Sequence, residues 1–171
     1  MIKRGARNAR YTNKIEPRVQ LWMLRILVNL GAHRDFTKHG FSNDALAEVI
    51  GLGDWIDTAL RDFDPKIVTS ELRKLHQLAE KKVVQTPLPI CLRKNIGQLS
   101  NLVGMSSTDC RILEFAVSIH SERLLDDTSD LLGNISSAKA FHALSIILDL
   151  PEAEIRSSLS AQGILACSGL V

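Results

Sequence analysis

The segment from Arg18 to Ala32 restricts the fold of this chain more than any other. It follows a helical period and is apolar around most of its circumference, and the preceding Pro17 suits a helix N-terminus. Its polar residues Arg18, Arg25 and Asn29 fall seven and four positions apart, which predicts one narrow solvated stripe. Because a helix that is apolar on nearly every side must be covered on nearly every side, the sequence predicts a central helix surrounded by others.

The rest of the chain also follows helical periods, and strand patterns are nearly absent. Beyond the central helix, helices are expected near residues 43–50, 65–82, 91–104, 107–122, 124–133, 137–149 and 151–160. Only Val83 to Gln85 suggests a short strand. Apolar residues make up 45% of the 171 residues and charged residues 23%, which is typical of a globular protein and not of a disordered chain. We therefore predict an all-α protein built as a multi-helix bundle.

A connector with two prolines, Pro87-Leu88-Pro89, predicts a boundary between two contiguous subdomains, residues 1–86 and 87–171. The charge changes sign close to the same point. Residues 1–94 hold 17 Lys and Arg against 10 Asp and Glu, whereas residues 95–171 hold 4 against 9. Such a dipolar chain favours an acidic partner at its N-terminal part. A solvated basic tail with no partner explains the first 18 residues equally well.

Neither a targeting segment nor a membrane-spanning segment is visible in the sequence. The most apolar stretch, Val19 to Leu30, is interrupted by polar residues and is too short to cross a bilayer. The three cysteines, Cys91, Cys110 and Cys167, are widely separated and odd in number, which indicates reduced thiols. We therefore expect a cytoplasmic protein with no membrane partner.

Three seven-residue segments share one apolar pattern: Leu46–Leu52, Leu99–Met105 and Leu144–Leu150. Each is followed by a turn residue and another apolar-periodic segment, which predicts a helix, tight turn, helix unit used three times. In the second unit, Ser106 and Asp109 are expected to cap the following helix. The pattern is similar to DNA-binding helix-turn-helix units. The segment after each turn is rich in acidic residues, however, which phosphates repel, so these three units are poor candidates for reading DNA.

Residues 43–86 also fit a winged-helix-like unit, in which the helix 65–82 is the recognition helix and Val83 to Gln85 is part of a wing. The buried stripe of this helix is expected to hold Val68, Leu72, Leu75 and Ala79. Its other side is expected to hold four candidate nucleic-acid-binding residues, Lys66, Arg73, Lys74 and Lys81. The ordinary solvated face of a surface helix accounts for the same four residues.

No catalytic or nucleotide-binding motif occurs in the sequence. No glycine is followed by lysine, so the phosphate-binding P-loop is absent, and the zinc-protease, paired-cysteine and serine-hydrolase motifs are absent too. His33 and His39 lie in one loop where they could share a metal, but solvated loop histidines are far commoner. We therefore expect no catalytic, cofactor-binding or metal-binding residue in this chain and no enzymatic activity.

Three segments together carry a family resemblance: Trp22–Val28 with the following His33–Phe36, then Asn95–Phe115, then Leu144–Val171. The last ends in Leu-Ser-Ala-Gln-Gly-Ile-Leu-Ala-Cys-Ser-Gly-Leu-Val. These segments resemble the N-terminal helical region of a group of bacterial AAA-family ATPases, in which a similar stretch stands just before the linker to the ATPase module. The resemblance carries over no nucleotide-binding residue. It implies that ATP and Mg²⁺ belong to an ATPase module beyond Val171, and the uncharged stretch from Ser157 onward fits this expectation.

The leading hypothesis is therefore a non-catalytic N-terminal domain of an AAA-type ATPase. The resemblance implies that it recognises a partner or substrate protein, or regulates the motor, and that its parent is homo-oligomeric. The alternative is a winged-helix DNA-binding transcriptional regulator that uses the basic side of the helix 65–82. It predicts an affinity for duplex DNA that falls steeply with salt.

Overall fold

The computed structural model describes residues 15–57, 59, 62–83 and 89–170, and these residues form a helical bundle without strands. Its ten α-helices are α1 (Pro17–Val28), α2 (His33–Phe36), α3 (Asp44–Ala47), α4 (Pro65–Val83), α5 (Ile90–Val103), α6 (Ser107–Ser121), α7 (Arg123–Asp130), α8 (Ser137–Leu148), α9 (Glu152–Ser158) and α10 (Ile164–Cys167). A π-helical turn (Glu48–Leu52) and a 3₁₀ turn (Gly53–Trp55) follow α3. The predicted all-α fold is confirmed. In these residues no helix has the length and apolar character needed to cross a bilayer.

Helix α1 is the centre of the bundle, as its sequence predicts. Its seven consecutive residues from Leu21 to Leu27 are all buried. Helix α4 packs along one side of α1, and helices α7 and α8 pack against others. The Trp22 ring meets the edge of Phe115 from α6, with the ring centroids 5.3 Å apart.

The solvated stripe expected on α1 is not present. Only Asn29, just beyond the helix, is exposed; Arg25 is buried and Arg18 is partly buried. Both arginines form ion pairs with glutamates from other helices. The prediction was wrong because these partners are distant in the sequence, so the spacing along α1 carried no sign of them.

One continuous hydrophobic core includes residues from both sides of the predicted subdomain boundary. Leu24 of α1 and Leu72 of α4 belong to it, and so do Leu125 of α7 and Leu148 of α8, all of them fully or almost fully buried. The division into residues 1–86 and 87–171 therefore stays a prediction about the sequence, and the packing around α1 joins the two segments.

Two of the three predicted helix, tight turn, helix units are present. Helix α5 ends at Gly104, whose φ of 77° closes the turn into α6. The predicted cap of α6 is confirmed: the Ser106 hydroxyl accepts a hydrogen bond from the Asp109 amide, and the Asp109 carboxylate accepts one from the Ser106 amide. Helices α8 and α9 form the second such pair, in which Pro151 is the N-cap residue and not the first helical residue.

The first of the three units differs from its prediction. After α3 the chain widens into the π-helical turn Glu48–Leu52, which contains a kink at Gly51, whose φ is 103°. The short 3₁₀ turn follows directly, and part of the segment predicted to form the second helix lies outside the described ranges. The strand expected at Val83 to Gln85 is wrong for Val83, which is the last residue of α4, and the other two residues of that wing lie outside the described ranges. The basic residues of the segment 1–14 also lie outside them.

Helices α2 and α10 were missed by the sequence patterns because each is only four residues long. Helix α10 lies in the stretch that carries the family resemblance. Its Leu165 is fully buried. At the preceding Gly163 a Cβ atom would come within 2.2 Å of the Ser158 carbonyl oxygen, so only glycine allows this close approach. Gly163 and Leu165 of this stretch therefore have a packing role in this chain.

Candidate anion-binding cleft

An open cleft of about 420 Å³ lies between α2 and the first half of α4. Eight residues line it: His33, Arg34, Thr37 and Lys38 from α2 and the residues directly after it, and Pro65, Lys66, Thr69 and Arg73 from α4. Each wall thus provides one arginine, one lysine and one threonine. On the α4 wall, Lys66, Thr69 and Arg73 are spaced as neighbours on one face of a helix. On the other wall, Arg34 lies in α2, and Thr37 and Lys38 follow directly after that helix.

The core holds both walls in place. In α2, Phe36 is fully buried and contacts the Phe41 ring at a centroid distance of 5.1 Å. In α4, Val68 and Leu72 are fully buried, as the predicted apolar stripe requires, while Leu75 and Ala79 of the same stripe are partly buried. The residues between these apolar positions are therefore turned toward the cleft or toward solvent.

The two hydroxyl groups of the cleft and one ring nitrogen of His33 are engaged with the backbone. The Thr37 hydroxyl donates to the His33 carbonyl at 2.8 Å, and the Thr69 hydroxyl donates to the Pro65 carbonyl at 2.7 Å. The His33 Nδ1 atom lies 2.8 Å from the Leu27 carbonyl oxygen, so this nitrogen is the donor. The charged side chains are consequently the groups left to donate hydrogen bonds to a ligand.

No carboxylate is among the lining residues that the structure describes. Two acidic residues adjoin the lining residues in sequence, Asp35 within α2 and Asp64 before α4, and neither lines the cleft. Asp64 directs its carboxylate to the N-terminus of α4, where Oδ1 accepts a hydrogen bond from the Lys66 amide at 2.8 Å. Within the described ranges, none of the four cations of the cleft forms an ion pair. The cleft is therefore a concentrated positive surface that is free to attract an anion.

The four residues predicted from α4 do not form a single site. All four are exposed, as expected, but only Lys66 and Arg73 line the cleft. Lys74 lies outside it and pairs with Glu71 at 3.0 Å, and Lys81 lies two turns further toward the C-terminal end of the helix.

The sequence patterns missed Arg34 and Lys38. These residues lie four positions apart, which places them on one face if the segment is helical, but the stretch 31–40 was expected to be a loop. Of the two histidines of this stretch, His33 lines the cleft and His39 does not. The cationic side chains around His33 repel metal ions, and the described residues contain no group of three or more potential metal-ligating side chains.

A second group of charges lies inside the bundle. All three nitrogens of the Arg25 guanidinium have acceptors, whereas the buried Nε atom of Arg111 has no hydrogen-bond partner in the described residues. Arg25 of α1 donates from Nε and Nη2 to the two carboxylate oxygens of Glu80 in α4, at 2.7 Å each. Its Nη1 donates to the Ile147 carbonyl of α8 at 2.7 Å, and Arg111 of α6 donates to the next carbonyl, that of Leu148, at 2.6 Å. Two arginines thus satisfy carbonyl groups that the C-terminus of α8 leaves without helical partners.

The two carboxylates that pair with arginines of α1 have pKa values shifted in opposite directions. The hydrogen bond from Arg25 holds the pKa of Glu80 below its ordinary value, with a further contribution from His76, whose Nε2 lies 3.0 Å from Glu80 Oε1. Glu114 of α6 pairs with Arg18 at 3.0 Å but is only 2% exposed, and this burial raises its pKa despite the arginine. Both pairs therefore join α1 to neighbouring helices. The ionised carboxylate is favoured at Glu80 and disfavoured at Glu114.

Comparison with known proteins adds no relative to this picture: no protein-family model, curated protein or solved structure matches the chain. The resemblance to the AAA-family N-terminal region accordingly stays an expectation.

Proposed function

We propose that this chain is a non-catalytic recognition module that binds an acidic segment of a protein partner in the cleft between α2 and α4. The observation that carries the proposal is the convergence of Arg34, Lys38, Lys66 and Arg73 on one cleft, without ion pairs within the described ranges. Following the resemblance, the module serves an oligomeric AAA-type ATPase in the cytoplasm by recognising its partner or substrate or by regulating the motor. ATP and Mg²⁺ then belong to a separate ATPase module.

Physical chemistry favours an acidic ligand at this place. Like charges held close together repel each other, and an incoming anion relieves that repulsion. Arginine presents a planar fork of donors that matches a carboxylate, so Arg34 and Arg73 are suited to bidentate contacts. A positive cleft also accelerates the encounter with an acidic partner, particularly at low salt.

The test is a binding titration with a short fluorescent poly-glutamate peptide, followed by anisotropy. The double variant Arg34→Gln with Arg73→Gln removes one arginine from each wall. We expect it to weaken binding about tenfold or more, since charge-assisted hydrogen bonds contribute about 1.5–3 kcal/mol each.

The matched control is Lys74→Gln with Lys81→Gln, which removes the same formal charge from the same chain outside the cleft. We expect it to change the affinity less than about threefold, as exposed charges distant from a ligand are screened. Equal weakening by both double variants would show non-specific attraction and would contradict the proposed site.

The second candidate function is DNA binding by α4 in a winged-helix-like arrangement. It is favoured by the line of exposed cations from Lys66 to Lys81, which extends about 22 Å along the helix. Against it, Lys74 is partly neutralised by Glu71. This candidate predicts affinity for duplex DNA that falls steeply with salt and is lost on charge reversal at Arg73 and Lys74. A DNA affinity that depends on Lys74 and Lys81 as strongly as on Arg34 and Arg73 would favour it over the cleft.

A further inference from the structure

We infer that the cleft between α2 and α4 is a site for a phosphate monoester, carried by a phosphorylated side chain in the acidic segment of the protein partner. The inference rests on the proposed function and names the group that the cleft selects. It goes beyond an acidic segment in general, because a carboxylate and a phosphate monoester differ in charge, in shape and in the number of acceptor oxygens.

The charge of the cleft is larger than one carboxylate needs. Four cations line it and no acidic residue is among the described lining residues. A carboxylate brings one negative charge and two oxygens, whereas a phosphate monoester brings about 1.5–2 negative charges at neutral pH and three acceptor oxygens. The monoester therefore neutralises more of the cleft with a single compact group.

The placement of the donors also fits a compact group with several oxygens. Arg34 stands on the α2 wall and Arg73 on the α4 wall, so two guanidinium forks approach from different elements. Each wall adds one lysine, Lys38 or Lys66, which interacts with phosphate as a point charge. An anion between the walls receives one arginine and one lysine from each side.

The buried residues behind the cleft reduce the conformational entropy that is lost when a ligand binds. Phe36 fixes α2 in the core, and Val68 and Leu72 fix α4. The hydroxyl groups of Thr37 and Thr69 donate to backbone carbonyls on their own walls. Only the long cationic side chains remain to be ordered when an anion binds.

A phosphorylated protein segment fits this cleft better than a nucleic acid backbone does. The phosphodiesters of a nucleic acid carry one charge each and follow one another at intervals along a strand. They match an extended row of cations. The cleft instead concentrates its cations, since its α4 wall extends only about 10 Å from Lys66 to Arg73. The next cation along α4, Lys74, is paired with Glu71.

The experiment compares one fluorescent acidic peptide in two forms, with a serine or with a phosphoserine at its centre. We expect the phosphorylated form to bind about tenfold or more tightly, and we expect inorganic phosphate to compete with it. Arg34→Gln and Arg73→Gln should each remove most of the gain due to phosphorylation. Lys74→Gln and Lys81→Gln should leave that gain in place, and far-ultraviolet circular dichroism should show the same helix content in all four variants.

The outcomes separate this inference from the proposed function. If both peptide forms bind equally well and the cleft variants weaken both, the phosphate inference is overturned and the acidic-segment proposal stands. If neither form binds, both are overturned. If inorganic phosphate binds but phosphorylation of the peptide gives no gain, the inferred protein source of the phosphate is wrong. If a short DNA duplex displaces the phosphopeptide and depends equally on Lys74 and Lys81, the nucleic-acid candidate replaces both.

Discussion

The arginines inside the bundle and the arginines of the cleft show how the same side chain takes two different roles. Arg25 has 8% of its side chain exposed and directs three nitrogens to defined acceptors at 2.7 Å. Arg34 and Arg73 are exposed and have no ion pair within the described ranges. The first arrangement holds helices together, because its hydrogen bonds are already made. The second is available to a ligand, because its donors are exposed and have no side-chain acceptor within the described ranges.

The sharpest test of this difference is the removal of Arg25. We expect Arg25→Ala to lower the free energy of unfolding by about 3 kcal/mol, because Glu80 loses its bidentate partner and the Ile147 carbonyl loses its donor. Urea unfolding followed by circular dichroism measures this change. A loss below about 1 kcal/mol would show that solvent replaces the arginine easily, and the buried pair would then resemble an ordinary surface pair.

The N-cap of α6 provides a reference for the size of this loss, because the cap involves only neighbours in the chain. Ser106→Ala removes the hydroxyl that accepts from the Asp109 amide at the start of α6. We expect a loss of about 1 kcal/mol in the free energy of unfolding, the usual cost of losing a serine N-cap. Ser107→Ala, at the next and exposed position, is the matched control and should cost less. If Ser106→Ala lowers the free energy of unfolding as much as Arg25→Ala does, the long-range pairing of Arg25 stabilises the fold no more than a local cap does.

The two ion pairs of α1, Arg25–Glu80 and Arg18–Glu114, should also respond to pH in opposite directions. The pKa of Glu80 is lowered in the folded protein, so its stabilising contribution is present above the ordinary value of 4.5 and is lost as the pH falls through the lowered pKa. The pKa of Glu114 is raised by burial, so the stability that comes from its neutral form is present below 4.5 and is lost as the pH rises through the raised pKa.

Urea unfolding of Glu80→Gln and Glu114→Gln across acid and neutral pH separates these contributions. The stability difference between the original protein and Glu80→Gln should increase as the pH rises, modestly because Glu80 is partly exposed. For Glu114→Gln, the free energy of unfolding of the variant should rise relative to that of the original protein as the pH increases above 4.5. The same pH trend in both variants would contradict the assignment of opposite shifts.

The smallest expected effect on stability is in the cleft. Arg73→Ala should change the free energy of unfolding by less than about 0.5 kcal/mol, since the side chain is exposed. Thermal melting of this variant beside Arg25→Ala measures the contrast directly. A large loss for Arg73→Ala would mean that the cleft arginine also has a structural task, and the distinction between the two groups would fail.

The sequence predicted those parts of the molecule that depend on neighbours in the chain. Helix α4 was expected at 65–82 and ends at Val83, because its apolar stripe and Pro65 are local signals. The cap of α6 was likewise predicted from the spacing of Ser106 and Asp109. The partners of Arg25 were not, because Glu80 lies 55 residues away and Ile147 lies 122 residues away.

Two of the four cations of the candidate site were predicted, because only those two lie in a segment with a clear local pattern. Lys66 and Arg73 were found because α4 is long enough for a helical period to be recognised. Arg34 and Lys38 were missed because a four-residue helix gives no measurable period, and the contact that brings α2 beside α4 is tertiary. The charge-rich composition of the segment 31–40 was the available signal, and only the fold shows that it faces a second set of cations.

The position of α1 has a consequence for how the chain can be divided. This helix lies in the N-terminal segment, yet it fills space between α4 on one side and α7 and α8 on the other. A cut between residues 83 and 89 would therefore leave two pieces that each expose the surface the other covers. Such pieces should reassemble in solution by fragment complementation, with an affinity that reports the strength of the α1 contacts. In the intact chain, covalent connection keeps that association intramolecular, so its effective concentration never falls with dilution.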